Sequence, residues 1–537
     1  MDPNSAPGPD GIPASFYRDY SEVVVGPMVK MQRIALDTGL TTEGTAHATI
    51  TPIYKGGSKC EASNYRPVAL TNHSTKIMER VVRAEIVNYL VTNNLTNDTQ
   101  HGFTASRSTM SQILCYLDDI FKMLEEGEEV DSVYLDFSKA FDKVDHGILL
   151  SKLYRLNIQG RLLRWIASFL RDRTQSVRVG SSLSDPTRVT SGVPQGSVLG
   201  PVLFLIMMLD IDSNVGQSSL GSFADDTKVW GRVKPVDPQE GVNRIQDDLI
   251  SLYQWASANN MSFNDKKFQG ISFGNTGRSP NYVTCSGESI VFVSAVKDLG
   301  ILIEDNLHFN KHIRSMAAKG HRISEWSFRT IKDRSTKTLL TILKSLVIPL
   351  IEYASVIWTP YDQEHINILE AVQRRFTSRF PIFRSWDNYL GMEVCTVDYP
   401  TRLEALGLYS LQRRHERYMI LYIYKIVNEF VPNPGFICNY DSRRKFRVTP
   451  KLSPQQAPTW VRNARKHSFF KRAPRLFNNL PVELRERCDA DAPTKAHLDA
   501  YKRKLDQHLK KFVDFPGRAG NGLPQQGRED IAFAPLK

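Results

Sequence analysis

Apolar and polar positions change period several times along the 537-residue chain, and each change predicts an element. In "STKIMERVVRAEIVNYLV", Ile77, Val81, Val82, Ile86 and Leu90 recur at helical spacing behind a Ser/Thr start. "VNRIQDDLISLYQWASANN" puts Val242, Ile245, Leu249, Leu252, Tyr253 and Ala256 on one face of another amphipathic helix. "DHGILLSKLYRL" and "GRLLRWIASFL" read as two further helices, and "SVLGPVLFLIMMLDI" as a buried one. Strands lie between them. Ile50, Pro52, Ile53 and Tyr54 run into the Gly loop "KGGSK", and "SVYLDF" is a short apolar strand ending at Asp136. "QSVRVGSSLSDPTRVTSGVPQG" predicts a hairpin followed by a Gly/Pro loop. "SLGSFADDTKVW", residues 219–230, predicts a second hairpin with Asp225 and Asp226 at its tip.

Beyond about residue 305 the pattern becomes helical and basic, over 310–331, 336–358 and 363–377. Another Arg- and Lys-rich helical portion begins near 401, a loop-rich section spans 432–458, and "TKAHLDAYKRKLDQHLKKFV" forms a late helix. The Gly-, Gln- and Pro-containing segment 516–537 predicts a disordered tail. Sixty-nine Lys and Arg against 57 Asp and Glu give a net charge of +12, which favours a polyanionic partner, nucleic acid before membrane. The six cysteines are scattered, with no CxxC or Cys/His cluster. Zinc and a disulfide framework are therefore not expected, and a reducing compartment, nucleus and cytoplasm, is. The apolar runs 198–209 and 339–358 carry Gly200 and Pro201, or Lys344, Pro349 and Glu352. Both read as core, so no membrane span is expected.

Asp225-Asp226 alone reads as an exposed hairpin turn. Asp136 changes that reading, because enough chain lies between them to return the hairpin beside the "VYLD" strand in one antiparallel sheet. Converging carboxylates share protons or bind a hard cation. Two divalent ions about 3.5–4 Å apart suit in-line displacement at phosphorus. Such ions prefer oxygen ligands and water, consistent with a site lacking His and Cys. Asp142 and Asp145 read as turn or helix-capping residues and His146 as structural. Arg107 either meets a phosphate or caps a turn, and "RRKFR" at 443–447 is a nuclear signal or a nucleic-acid-facing patch.

In order along the chain, "VYLDFSKAFDKVDH", "SGVPQGSVLGP" and "FADDTKVW" resemble the palm motifs of reverse transcriptases of non-LTR, LINE-type and jockey-like, retrotransposons. "SAPGPDGIP", "ITPIYKGG" with "NYRPVALT", "QHGFTASRST", "WASANNMSFNDKK" and "VKDLGILI" agree in the same order. The resemblance implies an α+β right-hand polymerase: fingers and palm over 1–304, with an antiparallel palm sheet, and a helical thumb over 305–380. A basic, mostly helical region over 381–515 follows. It implies that Asp136, Asp225 and Asp226 bind two Mg²⁺ ions (Mn²⁺ as an alternative), with Phe137 lending a backbone carbonyl. Phe141 would be the gate against a 2'-hydroxyl, and Gln195 and Gly196 would flank the incoming nucleotide. Lys55 and Arg66 would clamp its triphosphate, and Lys267 would protonate the leaving pyrophosphate. Phe268 departs from the Thr or Ser common at that position, so Lys266 competes for this role. Leu299 and Gly300 would hold the primer, while Gly8, Pro9, Asp10, Gly11 and Arg107 would touch the template.

The implied activity is RNA-directed DNA synthesis from a primer 3'-hydroxyl at a nicked DNA target, with template RNA and dNTPs as partners. An endonuclease domain is not recognised in the sequence, so the nick is expected to be supplied elsewhere. The alternatives are an inactive RNA-binding remnant of a decayed or domesticated element, and another palm polymerase such as an RNA replicase or an intron-encoded maturase. Phe141 speaks against RNA synthesis.

Overall fold

The computed structural model describes residues 2–41, 44–274, 277–387, 389–440, 446–450, 457–488, 493–511 and 514. Segment 516–537 and residues 443–445 of "RRKFR" lie outside the described residues. Among the described residues, twelve strands precede residue 305: β1 (His47–Tyr54), β2 (Tyr65–Leu70), β3 (Glu129–Leu135), β4 (Thr174–Val179), β5 (Ser182–Leu183), β6 (Thr187–Arg188), β7 (Ser219–Phe223), β8 (Asp226–Val233), β9 (Gln269–Phe273), β10 (Val291–Phe292), β11 (Ala295–Asp298) and β12 (Ile301–Glu304). They form two larger sheets and one small hairpin. The fingers sheet runs β2-β1-β4-β5 with β6 on β4, and β1 lies parallel to β4. The palm sheet runs β10-β9-β3-β8-β7, antiparallel except for the short β9–β10 pair. The β11–β12 hairpin stands apart.

Alternation along β3 places the palm sheet between two cores. Val133 and Leu135 join Val229, Val233, Ile245 and Leu249 on one face, beneath the helix Pro238–Ala258. Val130 turns the other way, towards the helix Thr109–Glu125, with Trp230, Ile271 and Phe273. That second core runs on without a break through residues of 305–380 and 381–511, so the thumb and the C-terminal region share apolar packing with the palm helix. Arg465 pins the junction. It is 3% exposed and pairs with Asp118 (3.3 Å) and Glu125 (3.2 Å).

Two stretches differ from the pattern reading. The expected single helix over 336–358 is broken into Thr336–Ile342, a π turn over Leu343–Val347, Ile348–Glu352 and Ser355–Trp358. Pro349 has no N–H to donate back along the ladder, and its ring crowds the preceding turn. Widening the turn before it accommodates both. Ala354, in the left-handed region at φ 52°, completes the break. The loop-rich section 432–458 contains a hairpin, Phe436–Tyr440 with Phe446–Pro450. Phe446 and Val448 alternate into the core, a short period-2 signal that the surrounding Pro, Asn and Arg obscure.

Arg465→Ala leaves Glu125 without this cation in a nearly dry seam, while Asp118 keeps Lys122 at 2.7 Å. We expect a loss of about 3–5 kcal/mol in urea denaturation. A loss under 1 kcal/mol would show that the apolar seam alone holds the junction.

Candidate active site

Strand register brings the three aspartates together. β3 pairs with β8 up to Leu135 opposite Thr227, so the next step sets Asp136 beside Asp226. Asp225 occupies the two-residue turn between β7 and β8, where Ala224 takes φ 58°. Burial raises the Asp225 carboxyl above the usual range, and the Asp136 charge raises it further. Arg66 and Lys55 act against that rise, which places both fingers cations within electrostatic reach of the turn. Asp226 is pushed up to about 6, by burial first and then by the charges of Asp225, Asp298 and Asp136.

The turn that carries Asp225 is held by the start of the "QHGFTASRST" motif, through Gln100 and Gly102, to which the sequence alone assigns no role. Gln100 accepts from Ala224 N (2.8 Å) and Gly102 N (2.8 Å) through Oε1 and donates to the Ala224 carbonyl (3.2 Å) through Nε2. Ser222 and the 99–101 backbone exchange two more bonds at 2.9 Å. A Cβ on Gly102 would sit 2.3 Å from Ala224 N, so only glycine allows this approach. Phe103, next in line, is 48% exposed with φ 57°, and its ring meets Phe141 edge-on at 6.1 Å.

Around Asp136 the 262–268 loop closes in. Asn264 N donates to the Asp136 carbonyl and Ser138 N to the Ser262 carbonyl, both at 2.8 Å, and Phe137 stacks on Phe263 at 4.4 Å. This puts Lys267 Nζ 3.0 Å from Asp136 Oδ2. Lys266 lines the same cleft but does not share that bond, so the geometry favours Lys267 of the two. The cleft is about 380 Å³ and is also lined by Asp226, Lys228, Gln269, Lys297, Asp298 and Leu299.

The remaining sequence-derived residues fall in several places. Phe141 stacks on Phe204 at 4.3 Å, and Gln195 Nε2 donates to Asp142 Oδ1 (3.1 Å) while its carbonyl accepts from Ala69 N (2.6 Å). Gly196 is tight for a reason internal to the fold: a Cβ there would lie 2.5 Å from the Ala69 carbonyl oxygen. Gly8, Pro9, Asp10 and Gly11 form a turn docked on Asn72, whose Oδ1 accepts from Asp10 N at 3.3 Å. Arg107 binds the carboxylate and carbonyl of Asp98. Leu299 (φ 44°) and Gly300 (φ 89°) make the two-residue β11–β12 turn, beside the cleft. Asp145 caps the helix His146–Arg155 through Ile148 N (3.0 Å), and His146 Nε2 bonds the Gly192 carbonyl (2.8 Å).

Residues 53–303 match the family of reverse transcriptases (RNA-dependent DNA polymerases). They are a reverse transcriptase domain. The chain is 30% identical over 338 residues to the "Probable RNA-directed DNA polymerase from transposon X-element" of Drosophila melanogaster, covering 61% of this chain and 36% of that protein. It is 28% identical over 387 residues to the "RNA-directed DNA polymerase from mobile element jockey" of the same species, 70% of this chain and 42% of that protein. The chain thus spans well under half the length of these relatives. Among solved structures, apo telomerase from Candida tropicalis aligns at 12% identity and a TM-score of 0.40, covering 78% of this chain and 67% of that one.

Divalent-metal dependence accompanies the reverse transcriptase family, and the carboxylates of this domain suit such an ion. Burial, with the charge of Asp136 acting on Asp225 and the charges of Asp225, Asp298 and Asp136 acting on Asp226, pushes both carboxyls towards their protonated forms, and a hard cation would relieve both costs. Among the described residues one other acidic group gathers, Asp362, Glu364 and His365. There Asp362 caps its helix through His365 N (2.9 Å), and Glu364 pairs with Arg314 (2.6 Å).

A folded-state value near 6, against an ordinary 3.8, means Asp226 holds its proton longer folded than unfolded. Stability from this group is therefore present below the ordinary value and is lost as pH rises through about 4 to 6. Solvent still reaches the carboxylate, which moderates the effect. In metal-free buffer, Asp226→Asn should exceed the wild type in Tm by about 2–4 °C at pH 7, with the gap closing towards pH 4. Parallel Tm–pH curves would refute the assignment.

Proposed function

We propose that this chain is an RNA-directed DNA polymerase of a non-LTR retrotransposon, extending a primer 3'-hydroxyl on an RNA template with dNTPs. The observation that carries the reading is the meeting of Asp136, Asp225 and Asp226 at one end of the palm sheet, with Lys267 on Asp136 and Lys55 and Arg66 within electrostatic reach of Asp225.

Asp136, Asp225 and Asp226 would hold two Mg²⁺ ions, with the Phe137 carbonyl as a further oxygen ligand. When bound, the ions supply charge stabilisation at phosphorus and a lower pKa for the attacking hydroxyl. Arg66 gives a bidentate grip on a triphosphate and Lys55 a point charge. Lys267, in contact with Asp136, would give a proton to the leaving pyrophosphate. Gln195 and the Gly196 backbone would flank the incoming nucleotide, and the Phe141 ring, which stacks on Phe204, would reject a 2'-hydroxyl. The Gly8–Gly11 turn and Arg107 would meet the template, and the Leu299-Gly300 turn the primer. The net charge of +12 supports a duplex tracked by its phosphates and read by its A-form shape. Nuclear and cytoplasmic residence fits a chain that carries six unpaired cysteines.

Asp225→Ala should cut primer extension on an RNA template by at least about 10³-fold, while duplex binding persists. Wild-type extension no better than the variant's would leave the inactive RNA-binding remnant as the better reading. Phe141→Ala should raise the ratio of rNTP to dNTP incorporation by about 10²-fold. An unchanged ratio would remove the gate from Phe141.

A further inference from the structure

Lys228 stands two residues beyond Asp226 on β8 and is 2% exposed. Its ammonium donates to Gln112 Oε1 (3.0 Å) and to the Asp298 carboxylate, and lies 4.0 Å from the Tyr116 ring centre. Asp298 is itself 6% exposed and accepts a 3.4 Å bond from the Tyr134 hydroxyl. Taking both charges out of water is costly, and an apolar pair of similar volume would join the two elements at least as firmly. What such a pair adds is direction, because charged hydrogen bonds fix geometry in a way that apolar contact does not.

Its position gives that direction a use. Asp298 ends β11, immediately before the Leu299-Gly300 turn, so the pair ties the strand that bears Asp226 to the turn beside the cleft. The thumb holds the same turn from outside. Tyr353 OH donates to the Leu299 carbonyl (3.1 Å) and pairs with the Thr109 hydroxyl (3.1 Å), and its ring lies 3.2 Å from where a Gly300 Cβ would be. Tyr353 sits at the helix break that follows the π turn. Lys266, Lys267 and Lys297 line the cleft with the turn, a cationic wall suited to a sugar-phosphate backbone.

We propose that the Lys228–Asp298 pair is a positioning device for the primer end, setting the Leu299-Gly300 turn relative to Asp136 and Asp226. A 3'-hydroxyl resting on that turn then meets the carboxylates at a fixed separation. The inference rests on the polymerase reading above and on the turn as the primer contact. Lys228 acts through Asp298 and the turn, and is a positioning residue.

The test compares wild type, Lys228→Arg and the double variant Lys228→Met/Asp298→Leu on a DNA primer annealed to RNA. It reads Tm, duplex affinity by fluorescence anisotropy, kcat and the KM for dNTP. The double variant should keep its Tm, duplex affinity and dNTP KM, while kcat falls at least about tenfold, since small misplacements of reacting atoms act on the chemical step. Lys228→Arg keeps the charge but changes its reach, and should lower kcat several-fold at unchanged Tm. It decides the matter if the double variant does not fold. A wild-type kcat in either folded variant overturns the proposal and leaves the pair a structural bridge. If the wild type extends no better than Asp225→Ala, the polymerase reading has failed and the proposal falls with it.

Discussion

Crowded negative charge at the end of the palm sheet is the constraint around which this domain is built. Register alone forces Asp136 against Asp226, and the tight β7–β8 turn adds Asp225. Like charges at that spacing repel, and burial makes Asp225 and Asp226 harder to ionise. The surrounding elements each answer this in part. Lys267 reaches Asp136, Arg66 and Lys55 lie within electrostatic reach of Asp225, and Lys228 within reach of Asp226. None of them closes on all three carboxylates at once, and a divalent ion could.

Holding such a cluster requires backbone rigidity more than side-chain packing. Gln100 satisfies both the donor and the acceptor of Ala224, and Gly102 and Gly196 let main chains approach where any Cβ would collide. Phe141 is fixed by Phe204 on its face and by Phe103 at its edge. These contacts join segments far apart in the chain, so the 99–107, 135–145, 192–204 and 219–228 stretches behave as one block. The thumb is coupled to that block less directly, through Tyr353 and the β11–β12 turn, at the place where Pro349 interrupts the helix.

How much was legible in the sequence depends on whether the signal was local. The strand ending at Asp136, the hairpin at 219–230 and the helices 310–331 and 363–377 follow from periodicity, because burial of one face fixes side-chain spacing. The break at Pro349 and the hairpin at 436–450 escaped that reading. A single proline widens a turn without changing the apolar stripe, and two buried positions make too short a pattern. Gln100, Lys228 and Asp298 escaped for another reason. A polar residue in the sequence does not reveal what it will bond, and each finds a partner through the fold more than 60 positions away. Gly196 was noticed, and its neighbour turned out to be the Ala69 carbonyl.

The sequence by itself determined the class of chemistry, through the ordered motifs and the three aspartates. It also determined most of the elements and the cationic excess that suits nucleic acid. Only the tertiary structure decided that Lys267 rather than Lys266 reaches Asp136, that Gln100 fastens the Asp225 turn, and that a buried ion pair links β8 to the Leu299-Gly300 turn. The division has one physical cause. Hydrophobic periodicity is written locally, whereas the hydrogen bonds and ion pairs that aim a site form only between segments that the finished fold brings together.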